Sequence, residues 1–141
     1  MPPRTARYKR GVELMEEIHG PGAAEGIQGI FKDICPDFGR FVVETGFADV
    51  YGRGGLSHAQ RQLLNVALLT ALGGSEPLLA SHMKGALHVG VTPREIVEAV
   101  FHVAIYAGHP RTVAGFSVAK EVFAELGIDP LADDDTEQPA G

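Results

Sequence analysis

Apolar and polar positions recur along this chain at helical spacing, interrupted by glycine and proline. The pattern is sharpest in REIVEAVFHVAIYAGHP, from Arg94 to Pro110. With a rotation of roughly 100° per residue, Glu95, Glu98, His102, Tyr106 and His109 fall within about 80° of one another. Ile96, Val97, Val100, Phe101, Val103, Ala104 and Ile105 fill the remaining circumference. The spacing predicts a helix over 92–108 that is buried on most sides and polar along one narrow stripe. Thr92 as N-cap, Pro93 in the first turn and Glu95 three residues after the threonine mark its start. Pro110 disfavours helical geometry in the residue before it, so His109 is expected to leave the stripe and sit in a turn.

The same reading places helices along the rest of the chain, with no convincing strand and no repeat. TARYKRGVELMEEIHG is an amphipathic helix closed by Gly20-Pro21-Gly22, and AAEGIQGIFKDI is a second, loosened by Gly26 and Gly29. PDFGRFVVETGFADVYG starts at Pro36 and spaces its apolar residues helically despite Gly39 and Gly46. Ser57 with Gln60 forms a capping box for a helix over 57–72, closed by Gly73-Gly74. A helix over 75–89 takes Ser75 as N-cap and Gly90 as C-cap, and PRTVAGFSVAKEVFAELG supplies the last. Six to seven helices with short Gly/Pro connections define an all-α bundle. Residues 1–128 are expected to form one domain, and the acidic segment 129–141 a frayed or disordered tail.

Composition narrows the classes. At 141 residues, with 45% apolar and 21% charged, the chain is an ordinary globular protein. Its net charge of -6 and pI near 5.4, with no basic cluster beyond PPRTARYKR, argue against nucleic acid as a partner. A lone Cys35 excludes an internal disulfide and suits a reducing, cytoplasmic setting; beside Pro36 it is expected to be a buried, inert thiol. No secretory leader is expected, and no apolar run approaches the ~20 residues that span a bilayer.

Candidate chemistry lies on the buried-looking helices. A polar stripe is ordinarily a solvent face, but such faces carry Lys, Arg or Gln, and this one holds Glu, His and Tyr. Glu98, His102 and Tyr106 follow at i, i+4 and i+8, which lets a carboxylate lie against an imidazole and prepare a proton donor. His82 stands alone on an apolar helix, as a satisfied core histidine would. A metal site made of His82, His88, His102 and His109 is not expected, because no His-x-x-x-His pair appears.

The run GLSHAQRQLLNVALLTALGGSEPLLASHMKGALHVGVTPREIVEAVFHVAIYAGHPRTVAGFSVAKEVFAE resembles the carboxymuconolactone decarboxylase family, which also includes the alkylhydroperoxidase-D peroxidases. The resemblance rests on the Leu-Ser start with Arg61, on His82, on GVTPREIVEA, and on HVAIYAGHP with a terminal AKEVF, over roughly 36–126. It implies an all-helical fold assembled as a homo-trimer or a ring of six. The peroxidase branch needs a Cys-x-x-Cys pair just before the position of His82, and EPLLASH has none, so thiol peroxidase chemistry is excluded.

The decarboxylase branch implies a cofactor-free carboxy-lyase of aromatic catabolism acting on a carboxylated lactone such as 4-carboxymuconolactone. On that template Arg61 binds a carboxylate, and His82 and His102 are candidates for oxyanion stabiliser and proton donor. Glu98 orients His102, Tyr106 donates a supporting hydrogen bond, and Glu95 contributes mainly as a helix cap. Packing is the alternative for each, and Arg61 could equally pair with Glu98. One departure stands out: relatives commonly carry Glu four residues before the histidine, where this chain has Leu78. An acid/base isomerase or cyclase of secondary metabolism, or a non-catalytic oligomeric binding protein, fits the same residues.

Overall fold

The computed structural model describes residues 5–132 and contains seven α-helices and one π-helical segment. No described residue lies in a strand, as the periodicity predicts. The acidic segment expected to be disordered lies, from residue 133 onward, outside the described residues. Among those described, no helix is long and apolar enough to cross a membrane. The chain divides into two compact units, the first up to Arg61 and the second from Gln62.

The first unit contains α1 (Ala6–His19), α2 (Ala23–Phe31), α3 (Pro36–Phe41), the π-helix Val42–Tyr51 and the opening turn of α4 (His58–Leu72). Thr5 caps α1 by accepting a hydrogen bond from the Tyr8 N–H at 3.1 Å. Leu14, Met15 and Ile18 of α1, with Val43 and Phe47 of the π-helix, are buried. The sequence predicts one helix from Pro36 to Gly52, and the structure shows an α-helix widening into a π-helix. Thr45 explains part of the change, because its hydroxyl donates to the Phe41 carbonyl at 2.6 Å and competes with the backbone ladder. The π register persists to the end, where the Gly52 N–H reaches the Phe47 carbonyl five residues back, at 2.9 Å.

Arg7 ties α1 to the π-helix through a two-pronged contact with Asp49 and a longer one, 3.6 Å, to Glu44. The Arg7 hydrogen bond and charge hold Asp49 below the usual carboxylate range. Burial opposes ionisation of Glu44, but hydrogen bonds from Thr5 and Arg40 and the nearby guanidinium charges outweigh it and lower its pKa. Cys35 corrects an expectation: it is exposed. It is the N-cap of α3 and so lies outside both flanking helices, beside Ile34, which is also exposed.

Gly11 sets how closely α1 approaches the π-helix. A Cβ there would lie 2.4 Å from the Val43 carbonyl oxygen and 2.8 Å from Val43 Cγ1. Alanine gains about 1 kcal/mol of helix propensity over glycine, whereas overpacking a tight contact costs about 1–3 kcal/mol. The atom in the way is backbone and cannot turn aside, so the clash wins. Gly11→Ala is expected to lower stability by up to about 2 kcal/mol, read as an earlier urea midpoint at unchanged slope. A variant as stable as the parent would show that the two helices separate at a cost no larger than the propensity gained.

The second unit contains the rest of α4 with α5 (Glu76–His88), α6 (Pro93–Ala107) and α7 (His109–Leu126). Val66, Leu79, Met83, Ile96, Val100, Val122 and Phe123 are among its buried residues. Both capping boxes form: Ser57 and Gln60 exchange bonds of 2.9 and 3.1 Å, Thr92 and Glu95 bonds of 2.7 and 3.1 Å. The cap of α5 differs from expectation. Ser75 makes no side-chain cap bond, and Val89 is the C-cap, with Gly90 following at φ 94°.

Candidate functional site

His82 projects from α5 toward α4. Its Nδ1 lies 2.9 Å from Gln62 Oε1 and 3.3 Å from Asn65 Nδ2. Gln62 and Asn65 are three residues apart on α4 and therefore share a face. Gln62 is fully buried, and Asn65 and His82 are half-buried. The imidazole is thus held from a neighbouring helix by two neutral amides. Leu78, one turn before His82 on its own helix, is 46% exposed.

Neither amide was singled out by the sequence pattern. The available signal was a pair of polar residues, Gln62 and Asn65, spaced i, i+3 within the apolar run RQLLNVALL. Nothing in a single sequence says which residue 17 or 20 positions away they meet.

Arg61 ends the first turn of α4, and its Nε is buried without a hydrogen-bond partner among the described residues. The same is true of Nδ1 of His58, which opens the helix. The Nε2 of His58 faces Glu17 Oε1 at 3.6 Å, and its ring stands 6.3 Å from that of Tyr51. His58 is a second polar feature that the sequence reading passed over. Leaving a buried polar atom unpaired costs about 1–3 kcal/mol, so both nitrogens are candidates for contact with a polar ligand.

On α6, Glu95 is the cap partner of Thr92. Glu98, His102 and Tyr106 are exposed, Tyr106 to 89%. No hydrogen bond or ion pair among the described residues joins Glu98 to His102. The helix is less covered than its apolar circumference suggests: Phe101 and Ile105 are 66% and 65% exposed, while Ile96, Val100 and Val103 face the interior. His109 has left the α6 stripe, as expected, but it does not sit in a turn: it is the first residue of α7, after the single linking residue Gly108. Among the described residues no group of three or more His, Cys, Asp or Glu is arranged to hold a metal ion.

These features define an all-helical protein with an amide-held imidazole on one unit and a buried, unpartnered guanidinium nitrogen on the other. The carboxymuconolactone decarboxylase family model matches residues 36–121. The chain is 36% identical over 124 residues to 4-carboxymuconolactone decarboxylase of Acinetobacter baylyi, covering 88% of this chain and 92% of that one. It is 29% identical over 124 residues to nitrosuccinic acid decarboxylase of Metarhizium robertsii, covering 84% and 82%. An uncharacterized 15.0 kDa protein of Paracoccus denitrificans is 31% identical over 95 residues, covering 67% and 71%. The chain belongs to the carboxymuconolactone decarboxylase family, and its named relatives support a decarboxylase.

Proposed function

We propose that the protein removes CO2 from a small carboxylated lactone of the 4-carboxymuconolactone type, without a metal or organic cofactor. The observation that carries the reading is the buried, unpartnered Nε of Arg61, taken with similarity to a decarboxylase over most of both chains. A guanidinium fork matches a carboxylate with two parallel hydrogen bonds.

In the reaction the bond between the γ-carbon and the carboxylate breaks. Its electron pair moves through the ring double bond onto the lactone carbonyl oxygen, giving CO2 and a dienolate. A proton delivered to carbon returns the electrons and completes the product. Arg61 anchors a carboxylate, and His82 and His102 are the candidates for oxyanion stabiliser and proton donor. Glu98, one turn from His102 and with no bond to it among the described residues, would orient it once a subunit contact covers the pair; Tyr106 adds a donor, and Glu95 chiefly holds the start of α6.

The working form in this proposal is a homo-oligomer, a trimer or a ring of six. Leu64, Leu68 and Leu72 of α4 form an i, i+4, i+8 row that is 50%, 58% and 70% exposed. Phe101, Ile105 and Tyr106 on α6 are likewise exposed, and exposed apolar side chains of this kind are what a subunit contact would cover. Association would place the polar stripe of α6 at a subunit contact rather than in bulk water.

The test is CO2 release when pure protein, with no metal added, meets 4-carboxymuconolactone. Release is expected, and His102→Ala is expected to reduce kcat on the order of 10²-fold while helical content stays unchanged. A well-folded protein that releases nothing would remove this substrate. Release untouched by His102→Ala would remove that residue from the chemistry.

A further inference from the structure

The contact between α4 and α5 also bears on which imidazole nitrogen carries the proton. Nδ1 of His82 has an amide oxygen at 2.9 Å and an amide nitrogen at 3.3 Å, and it cannot donate and accept at once. Gln62 makes the shorter contact and is 0% exposed, so its amide oxygen has the most to lose if the hydrogen bond is not made. Asn65 is half-buried, and its amide can turn to present oxygen instead, which is the orientation that agrees with a protonated Nδ1.

We propose that Gln62 is a positioning residue whose buried side-chain carbonyl holds neutral His82 as the Nδ1–H tautomer, placing the lone pair on Nε2. The residue one turn before His82 is Leu78, so no carboxylate on α5 does this at that position. An amide oxygen fixes the ring without adding negative charge, unlike a carboxylate partner. His82 in this arrangement takes up a proton from solvent at Nε2 and delivers it to the dienolate carbon, with Nδ1 fixed by α4. The tautomer follows from the contact alone; its use in turnover rests on the decarboxylase reading.

The experiment is two-bond proton–nitrogen correlation NMR of the full chain labelled with 15N-histidine, at a pH where the ring is neutral. His82→Asn identifies the signal. The wild type is expected to show Nδ1–H at His82. Gln62→Met, which keeps the volume and removes the acceptor, is expected to shift the ring toward Nε2–H and to lower kcat on the order of tenfold or more with KM held. Gln62→Glu, which restores an acceptor, is expected to restore Nδ1–H.

An Nε2–H ring in the wild type overturns the proposal, and this arm needs no variant to fold. So does a folded Gln62→Met protein whose His82 tautomer is unchanged. Nδ1–H in a protein that releases no CO2 from the lactone keeps this inference and removes the substrate. CO2 release by a protein with Nε2–H does the reverse.

Discussion

Arg61→Met is expected to cut kcat/KM for CO2 release on the order of 10²- to 10³-fold while leaving the melting temperature unchanged or slightly raised. The two halves of that expectation have one source. The buried Nε of Arg61 has no hydrogen-bond partner among the described residues, so methionine removes a desolvated donor while keeping the apolar stem in place. If the guanidinium served structure through a partner instead, its loss would destabilise by several kcal/mol and the melting point would fall. Arg61→Lys keeps the charge but loses the planar fork, and its activity should fall between the two. A cooler-melting, fully active Arg61→Met protein would make Arg61 a packing residue.

Leu68→Glu is expected to reduce the proposed homo-oligomer to single chains of 15.0 kDa, as read by light scattering at micromolar concentration. Fully burying a leucine side chain is worth about 1.5–3 kcal/mol, and Leu64, Leu68 and Leu72, still 50%, 58% and 70% exposed, each keep the corresponding fraction of that term to gain. A carboxylate in the middle of the row forfeits one term and adds an unpaired charge whose burial costs several kcal/mol. Within a single chain Leu68 is 58% exposed, so its replacement should leave helical content intact. A wild-type protein that already weighs 15.0 kDa would end the oligomer proposal.

Helix positions were legible wherever a cap carried its own chemistry. Thr92, Pro93 and Glu95 announce α6, Ser57 and Gln60 announce α4, and both boxes form as the spacing implies. Such bonds close within four residues, so sequence contains both partners. The π-helix was not legible, because apolar spacing across Val42–Tyr51 resembles an α-helix, and the switch depends on which carbonyl each N–H reaches. Ser75 shows the converse: a residue of capping type that makes no cap bond.

The candidate site was readable in kind and less so in arrangement. His82 and Arg61 stand out in the sequence as polar residues on apolar helices. That His82 is held by Gln62 and Asn65 depends on how α4 meets α5, which periodicity along either helix does not encode. Phe101 and Ile105 make a related point. Their spacing says they want cover, but not whether the cover comes from this chain. Cys35 was expected inside from its residue type and local setting, and its position as the N-cap of α3 puts it outside.

Gly108 alone connects α6 to α7, at φ 84° and ψ 171°, where its missing Cβ lets the chain reverse within one residue. This corner also bears on the order in which the second unit is expected to assemble. Closing a loop costs entropy that grows with its length, and between these two helices there is almost none to close. Their pairing is the least entropically demanding long contact in the unit, and contacts this local are the ones that let helical proteins form quickly. α6 and α7 are therefore expected to pair first and α5 to dock on them, so that the glycine at the corner bears on folding speed.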